Sequence, residues 1–345
     1  TGDFLGTIEA PFSARQYTDS EKRLSHPTLA QRALAALEGQ ASALIAKIVR
    51  DRRAPAEFTA DDPTLLNFIA YQWGRTPAAG VRGDVQLTKT MQAVFKSPVG
   101  IPDVLRNHAH EIVVRHSEPT LFSLSVTQRL GPLLFDLERA VLVNETDIEF
   151  IASDAPVVLH NQWCEEVTWQ GTTGFASHGL QVVLPLDSRH ALLMFDPSVY
   201  AIGRQEHPAS YVLRQQRDVK ELNALQLSVA DHNLYYSGDA RTAASIDRLP
   251  FARWRGPQHT VAVHRGMDDS GSSQLIHTFS RSTARLRLSF LRILKAAKRV
   301  AVRERGSLYR PDAMWLHRKL NGDRGEGAER PAAGARAWTI TEDPG

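Results

Sequence analysis

The residues best suited to chemistry lie in three separate stretches. Asp154 follows the apolar run Phe150-Ile-Ala-Ser153 and precedes Ala155-Pro156, so its carboxylate falls at a strand end. There it could act as a base, a ligand or an anchor for a substrate hydroxyl. It could equally accept hydrogen bonds from backbone amides of its own turn. Arg75 and Gln72 put a guanidinium and a planar amide near one helix end. A guanidinium clamps a carboxylate or phosphate through two parallel bonds. It also caps a helix C-terminus or pairs with an internal acid, and Asp154 is one such acid. Asn223, inside a later helical stretch, adds a hydrogen-bond donor. Gathered in one cleft, Arg75 would hold an anion, Asp154 would serve as base or orienter, and Gln72 and Ser153 would bind. That is the constellation of a hydrolase or transferase acting on a small polar or phosphorylated substrate.

Other chemistry finds weaker footing. His108, His110, Glu111 and His116 are close in sequence, but on a helix residues two apart diverge by about 200°, and the HExxH zinc motif is absent. No metal and no cofactor is expected. The lone Cys164 could be a nucleophile with His160 nearby, or a small side chain packed beside Trp163. There is no Gly-x-Ser-x-Gly elbow, and Gly171-Thr-Thr-Gly174 lacks the lysine and helix context of a phosphate loop.

The charge distribution supplies a second kind of chemistry. From Arg281 to Gly345 there are 15 Lys/Arg against 7 Asp/Glu, whereas the whole chain carries only +3. Arg281 to Arg305 reads as a helix with Leu286, Phe290, Ile293, Ala297 and Val300 as its apolar stripe. Arg285, Arg292, Lys295 and Arg299 fall largely outside that stripe and could contact a nucleic-acid backbone or another polyanion. The competing account is a solvated outer face, with long aliphatic stems lying over apolar neighbours. No aromatic residues are interleaved for base stacking.

These residues need elements to hold them. Leu34, Leu37, Ala41, Leu44 and Ile48 recur at helical spacing, so a helix runs from about residue 28 to Arg50. Thr59 with Asp62 resembles a capping box opening a second helix through Leu65, Leu66, Phe68, Ile69 and Trp73, closed by Gly74. Residues 84–96, 102–116 and 119–137 are further helical candidates, the last interrupted at Gly131-Pro132. Short apolar runs at 141–143, 148–151, 157–159, 180–184 and 191–195 read as buried strands. A helix from Gln215 to Asp231 follows, with strand candidates at 234–237 and 260–264. The expected fold class is α+β: a helical N-terminal half, a central, mostly antiparallel sheet of about 5–7 strands, and C-terminal helices. One domain would span residues 28–310, after an irregular segment 1–27 and before a disordered tail 321–345 rich in Gly, Pro, Ala and Arg.

At 345 residues, 42% hydrophobic and 23% charged, the composition is that of a soluble globular protein. With one cysteine no intrachain disulfide forms, which suits a reducing compartment. No apolar run reaches the length of a bilayer span and no signal-peptide pattern opens the chain. A cytoplasmic protein is expected. Thr1 is not a methionine, so a piece preceding it is left open.

Three segments carry a resemblance: Phe68-Ile-Ala-Tyr-Gln-Trp-Gly-Arg75-Thr-Pro, then Phe150-Ile-Ala-Ser-Asp-Ala-Pro156-Val with Val183-Leu-Pro-Leu186, and Leu222-Asn-Ala-Leu-Gln-Leu with Tyr235. In order and spacing, over roughly residues 30–240, they resemble the bacterial family filed as domain of unknown function 4238. Members of that family usually open with a His-His-Tyr-Val-Pro-like box, which this chain lacks; a truncated start and a divergent member both fit. The resemblance implies no established activity. It marks Gln72, Arg75, Ser153, Asp154, Pro156, Pro185 and Asn223 as the positions matching the family pattern. Three functions are thus in play: nucleic-acid association through the basic C-terminal segment, the hydrolase or transferase, and an interaction scaffold.

Overall fold

Helices open the described chain because its apolar residues recur at helical spacing. The structure, a computed structural model, describes residues 29–96, 102–127, 129–203, 209–247, 258–268, 271–281 and 285–320. The segment 1–27 and the tail 321–345 lie outside the described residues. Helix α1 (Leu29–Asp51) buries Ala41, Leu44, Ile45 and Ile48 on one face. Helix α2 (Asp62–Gly74) is buried nearly all round. Gly74 lets it approach its neighbour, since a Cβ there would collide with Thr127. Helix α3 (Pro77–Phe95) starts on Thr76, whose side chain accepts from the Ala79 amide at 3.1 Å. Short α4 (Asp103–Asn107), a 3-10 turn (Ala109–Glu111), α5 (Pro119–Thr127) and a 3-10 turn (Gly131–Leu134) complete the helical half.

The sheet part holds β1 (Glu138–Asn144), β2 (Ala152–Ser153), β3 (Val158–His160), β4 (Gln181–Pro185), β5 (His190–Phe195), β6 (Tyr200–Ile202) and β7 (Ser210–Leu213). Helix α6 (Gln216–Val229), β8 (Leu234–Tyr235), α7 (Ala240–Asp247) and the hairpin β9 (Gln258–Asp268) and β10 (Gly271–Arg281) follow. The chain then runs through β11 (Leu291–Ile293), α8 (Lys295–Arg299), α9 (Val302–Arg305) and α10 (Pro311–Leu320). Five strands form the central sheet in the order β3-β4-β5-β1-β7, antiparallel except where β1 and β7 run parallel. The fold is therefore mixed α+β, helices first, sheet in the middle and helices last.

Successive strand residues point to opposite faces, and here both faces are covered. Val141, Val143, Val182, Leu184, Leu192 and Met194 pack towards α1 and α2. Ala140, Leu142, Val183, Ala191, Leu193 and Phe195 pack towards Val219, Leu222 and Leu225 of α6. Burial on both sides explains why these strands read as unbroken apolar runs rather than as alternating patterns.

Four local expectations are corrected. Arg281–Arg305 is not one helix: residues 285–288 are non-helical and 289–290 bend, followed by β11 and two short helices. Leu286, Leu288 and Phe290 are buried while Arg285, Arg287 and Ser289 are exposed, a period of two that belongs to extended chain. Residues 102–116 form only α4 and the 3-10 turn; beyond it Thr88 Oγ1 donates to the Val114 carbonyl and accepts from its amide, so the backbone bonds of Val114 go to α3 and not to a helix of its own. Residues 148–151 are not a strand, because their amides go to side chains and a loop: Glu149 to Thr242, Ile151 to Asn223 and Phe150 to the Ser188 carbonyl. Thr59 does not close a capping box; its hydroxyl donates to the Ala56 carbonyl. Asp62 instead accepts from the Phe58 amide and meets Arg139 at 2.7 Å.

Candidate functional site

The amides of α6 decide the position of the segment that carries Asp154. Asn223 and Gln226 lie one turn apart on the same helix face, both buried. Asn223 accepts from the Ile151 amide at 3.1 Å and donates to the Glu149 carbonyl at 2.8 Å. Gln226 Oε1 accepts from both the amide and the hydroxyl of Ser153 at 3.0 Å, and its Nε2 donates to the Pro156 carbonyl at 2.9 Å. Two side-chain amides thus satisfy the backbone of a buried strip that no full strand pairs with among the described residues, a requirement any buried polar chain must meet.

Asp154 is held at the end of this seam. Its two oxygens accept from three consecutive amides: Asp231 at 2.8 Å, His232 at 2.7 Å and Asn233 at 3.0 Å. Its own amide donates to the Asn233 carbonyl at 3.1 Å, next to the β2–β8 pairing of Ala152 with Tyr235. Carboxylates accepting several amides form strong, charge-assisted bonds. The geometry is that of a clasp between the β2 end and the chain leaving α6.

Arg75 lies elsewhere. It ends α2, 6% exposed, with Nη1 2.5 Å from Glu38 of α1 and its guanidinium over the Tyr71 ring at 5.3 Å. Gln72 is buried on the same helix, and its Oε1 has no hydrogen-bond partner among the described residues. The structure therefore brings Ser153, Asp154 and Asn223 to one seam with Gln226, and holds Gln72 and Arg75 in the α1–α2 layer against the other face of the sheet. Arg75 closes on Glu38, not on Asp154. Gln226 was not singled out from the sequence, though the Asn223-x-x-Gln226 spacing on a helix was the available signal.

The basic residues ride on residues 285–305, a strap of non-helical chain, β11, α8 and α9, and differ in their partners. Arg287 pairs with Glu165 at 2.8 Å, and Arg305 donates to the Trp163 carbonyl at 3.0 Å with its charge over the Trp163 ring. Carboxylates also bind the strap's backbone: Glu165 takes the Leu286 amide at 2.6 Å, and Asp218 takes the Ser289 amide at 2.7 Å and hydroxyl at 2.6 Å. Arg285, Arg292, Lys295, Lys298 and Arg299 are exposed, with no ion pair among the described residues. Beside them opens a cleft of about 390 Å³ lined by Glu138, Phe195, Pro197, Tyr200, Ile202 and Leu294 among others.

Two remaining nucleophile candidates have structural surroundings. Cys164 is buried, and that burial pushes its thiol up to about 12, away from the reactive thiolate. His178 Nδ1 is 3.3 Å from Asp196 and its Nε2 3.4 Å from Ser198 Oγ, the outline of a serine triad. The Ser198 hydroxyl, however, donates to Asp196 at 2.5 Å, and the Ser198 amide bonds the same oxygen at 2.9 Å. Its proton is committed to the turn and not to the imidazole. Among the described residues no group of three or more His, Cys, Asp or Glu could hold a metal ion, and no helix is long and apolar enough to cross a membrane.

Fold and seam together define a mixed α+β fold whose sheet is covered on both faces and whose central strip is tied to a helix by two amides. The family model described as protein of unknown function DUF4238 matches residues 12–240, more than half of the chain, and the chain belongs to that family. No curated protein and no solved structure matches it. The strap, β11 and the last helices all fall beyond the matched residues, yet Leu286, Leu288, Phe290 and Ala297 complete the core over α6.

Proposed function

We propose that the protein binds a polyanion, in the first place a nucleic-acid backbone, through Arg285, Arg292, Lys295 and Arg299. The observation that carries this reading is that these side chains, with Lys298, stay exposed and without carboxylate partners among the described residues, while Glu165 and Asp218 are taken up by the strap's backbone and Arg287. Solvated cations on one short segment release counterions from phosphates when they bind. The hydrolase or transferase reading through Asp154, Arg75 and Asn223 draws less support, because each of these side chains already has a structural partner.

The test is fluorescence anisotropy with duplex and single-stranded DNA and RNA at two salt concentrations. Binding is expected to weaken steeply with salt, and Arg292→Glu combined with Lys295→Glu should reduce the slope of log affinity on log salt by about two. Absent or salt-insensitive binding would leave an interaction scaffold as the better description.

A further inference from the structure

We infer that the cleft beside the strap is a subsite for a single unpaired nucleobase bearing an exocyclic amine; this rests on the polyanion reading. The cleft and the cations share a scaffold. Ala201, in its lining, is the register partner of Arg292, and Leu294, also in its lining, immediately precedes Lys295. The strap is fixed there by backbone bonds from Leu294 to Val199 and from Gly203 to Phe290, both 2.8 Å. A strand whose phosphates lie on Arg292 and Lys295 therefore passes the mouth of the cleft.

The lining sets what enters. Half-buried Pro197, Ile202 and Leu294 make apolar walls, and the buried Phe195 and Tyr200 make the floor. The Tyr200 hydroxyl is turned inward, donating to the Gly179 carbonyl at 3.0 Å, so the floor offers ring carbon and no hydroxyl. A volume of about 390 Å³ is in the range of small-ligand pockets and admits a base with its sugar. Glu138 is the one acid in that lining, exposed and without an ion pair or side-chain hydrogen bond among the described residues. An ionised carboxylate only accepts hydrogen bonds. Cytosine and adenine offer it an amino group, and guanine offers two adjacent N–H donors. Thymine and uracil present carbonyls on both sides of their one N–H and are repelled. A carboxylate amid phosphate-binding cations weakens backbone binding, and base readout is the gain that offsets it.

The experiment compares, by anisotropy at fixed salt, a single-stranded thymine oligomer with the same oligomer carrying one central guanine, cytosine or adenine. Guanine should bind about tenfold tighter than thymine, with cytosine and adenine between. Glu138→Gln should bring all four within about twofold while leaving the salt slope unchanged. Arg292→Glu should lower the slope and keep the ranking. If the oligomers bind with salt dependence but without base preference, or the preference survives in Glu138→Gln, the subsite is refuted and the polyanion reading stands. If none binds, both fall.

Discussion

Arg310 shows what a single buried charge demands. It is 2% exposed, donates to the carbonyls of Leu133 (2.6 Å) and Phe175, and lies 3.3 Å from Asp136. Burial pushes the Asp136 carboxyl up to about 6, against the pull of Arg310 and with added repulsion from Asp196 and Asp312. A carboxyl whose folded pKa exceeds its unfolded value binds a proton more readily when folded. Its contribution to stability is therefore largest at low pH and is lost as pH rises through about 6. Between pH 7 and pH 5 the wild type should gain about 1–2 kcal/mol of urea stability relative to Asp136→Asn; equal pH profiles would contradict this. Asp154 makes the opposite kind of demand, since three amides depend on it. Replacing it with Ala should cost about 2–3 kcal/mol by urea denaturation. A neutral result would mean that water serves those amides equally well.

The strap is the element on which the proposed function depends, and its conformation is fixed by other elements. Its own residues alternate apolar and polar over 285–290, and their burial alternates in step, which a helix could not provide. What pins it is Asp218 of α6, 2% exposed, with both oxygens on Ser289. Asp218→Ala should raise hydrogen exchange across 286–291 selectively, by about tenfold or more, while the β1–β5 amides stay protected. Uniformly faster exchange would indicate global destabilisation instead. Reading this stretch as a helix fails for a definite reason. Leu286, Phe290, Ile293, Ala297 and Val300 fit a helical stripe, and Leu286, Leu288 and Phe290 fit a strand equally well. Short apolar-basic sequences satisfy both periods, and the acids of α6 and Glu165 choose between them.

At the scale of the whole molecule, the sheet separates two layers of side chains, so residues that match one family pattern end up serving different contacts. Arg75 answers to Glu38 across α1 and α2; Ser153, Asp154 and Asn223 answer to the seam beneath α6. The sequence by itself determined the order of helices, strands and helices, because apolar periodicity and strand runs are local records of burial. It determined the family, and the concentration of positive charge towards the C-terminus, since composition does not depend on folding. Which carboxylate meets which cation was decided only in three dimensions. Arg75 is 37 residues from its acid, Asp154 is 77 to 79 residues from its amides, and Asp218 is 71 residues from Ser289. Pairings across such separations follow from how layers stack and which buried amides need acceptors, and neither is written in any one stretch of chain.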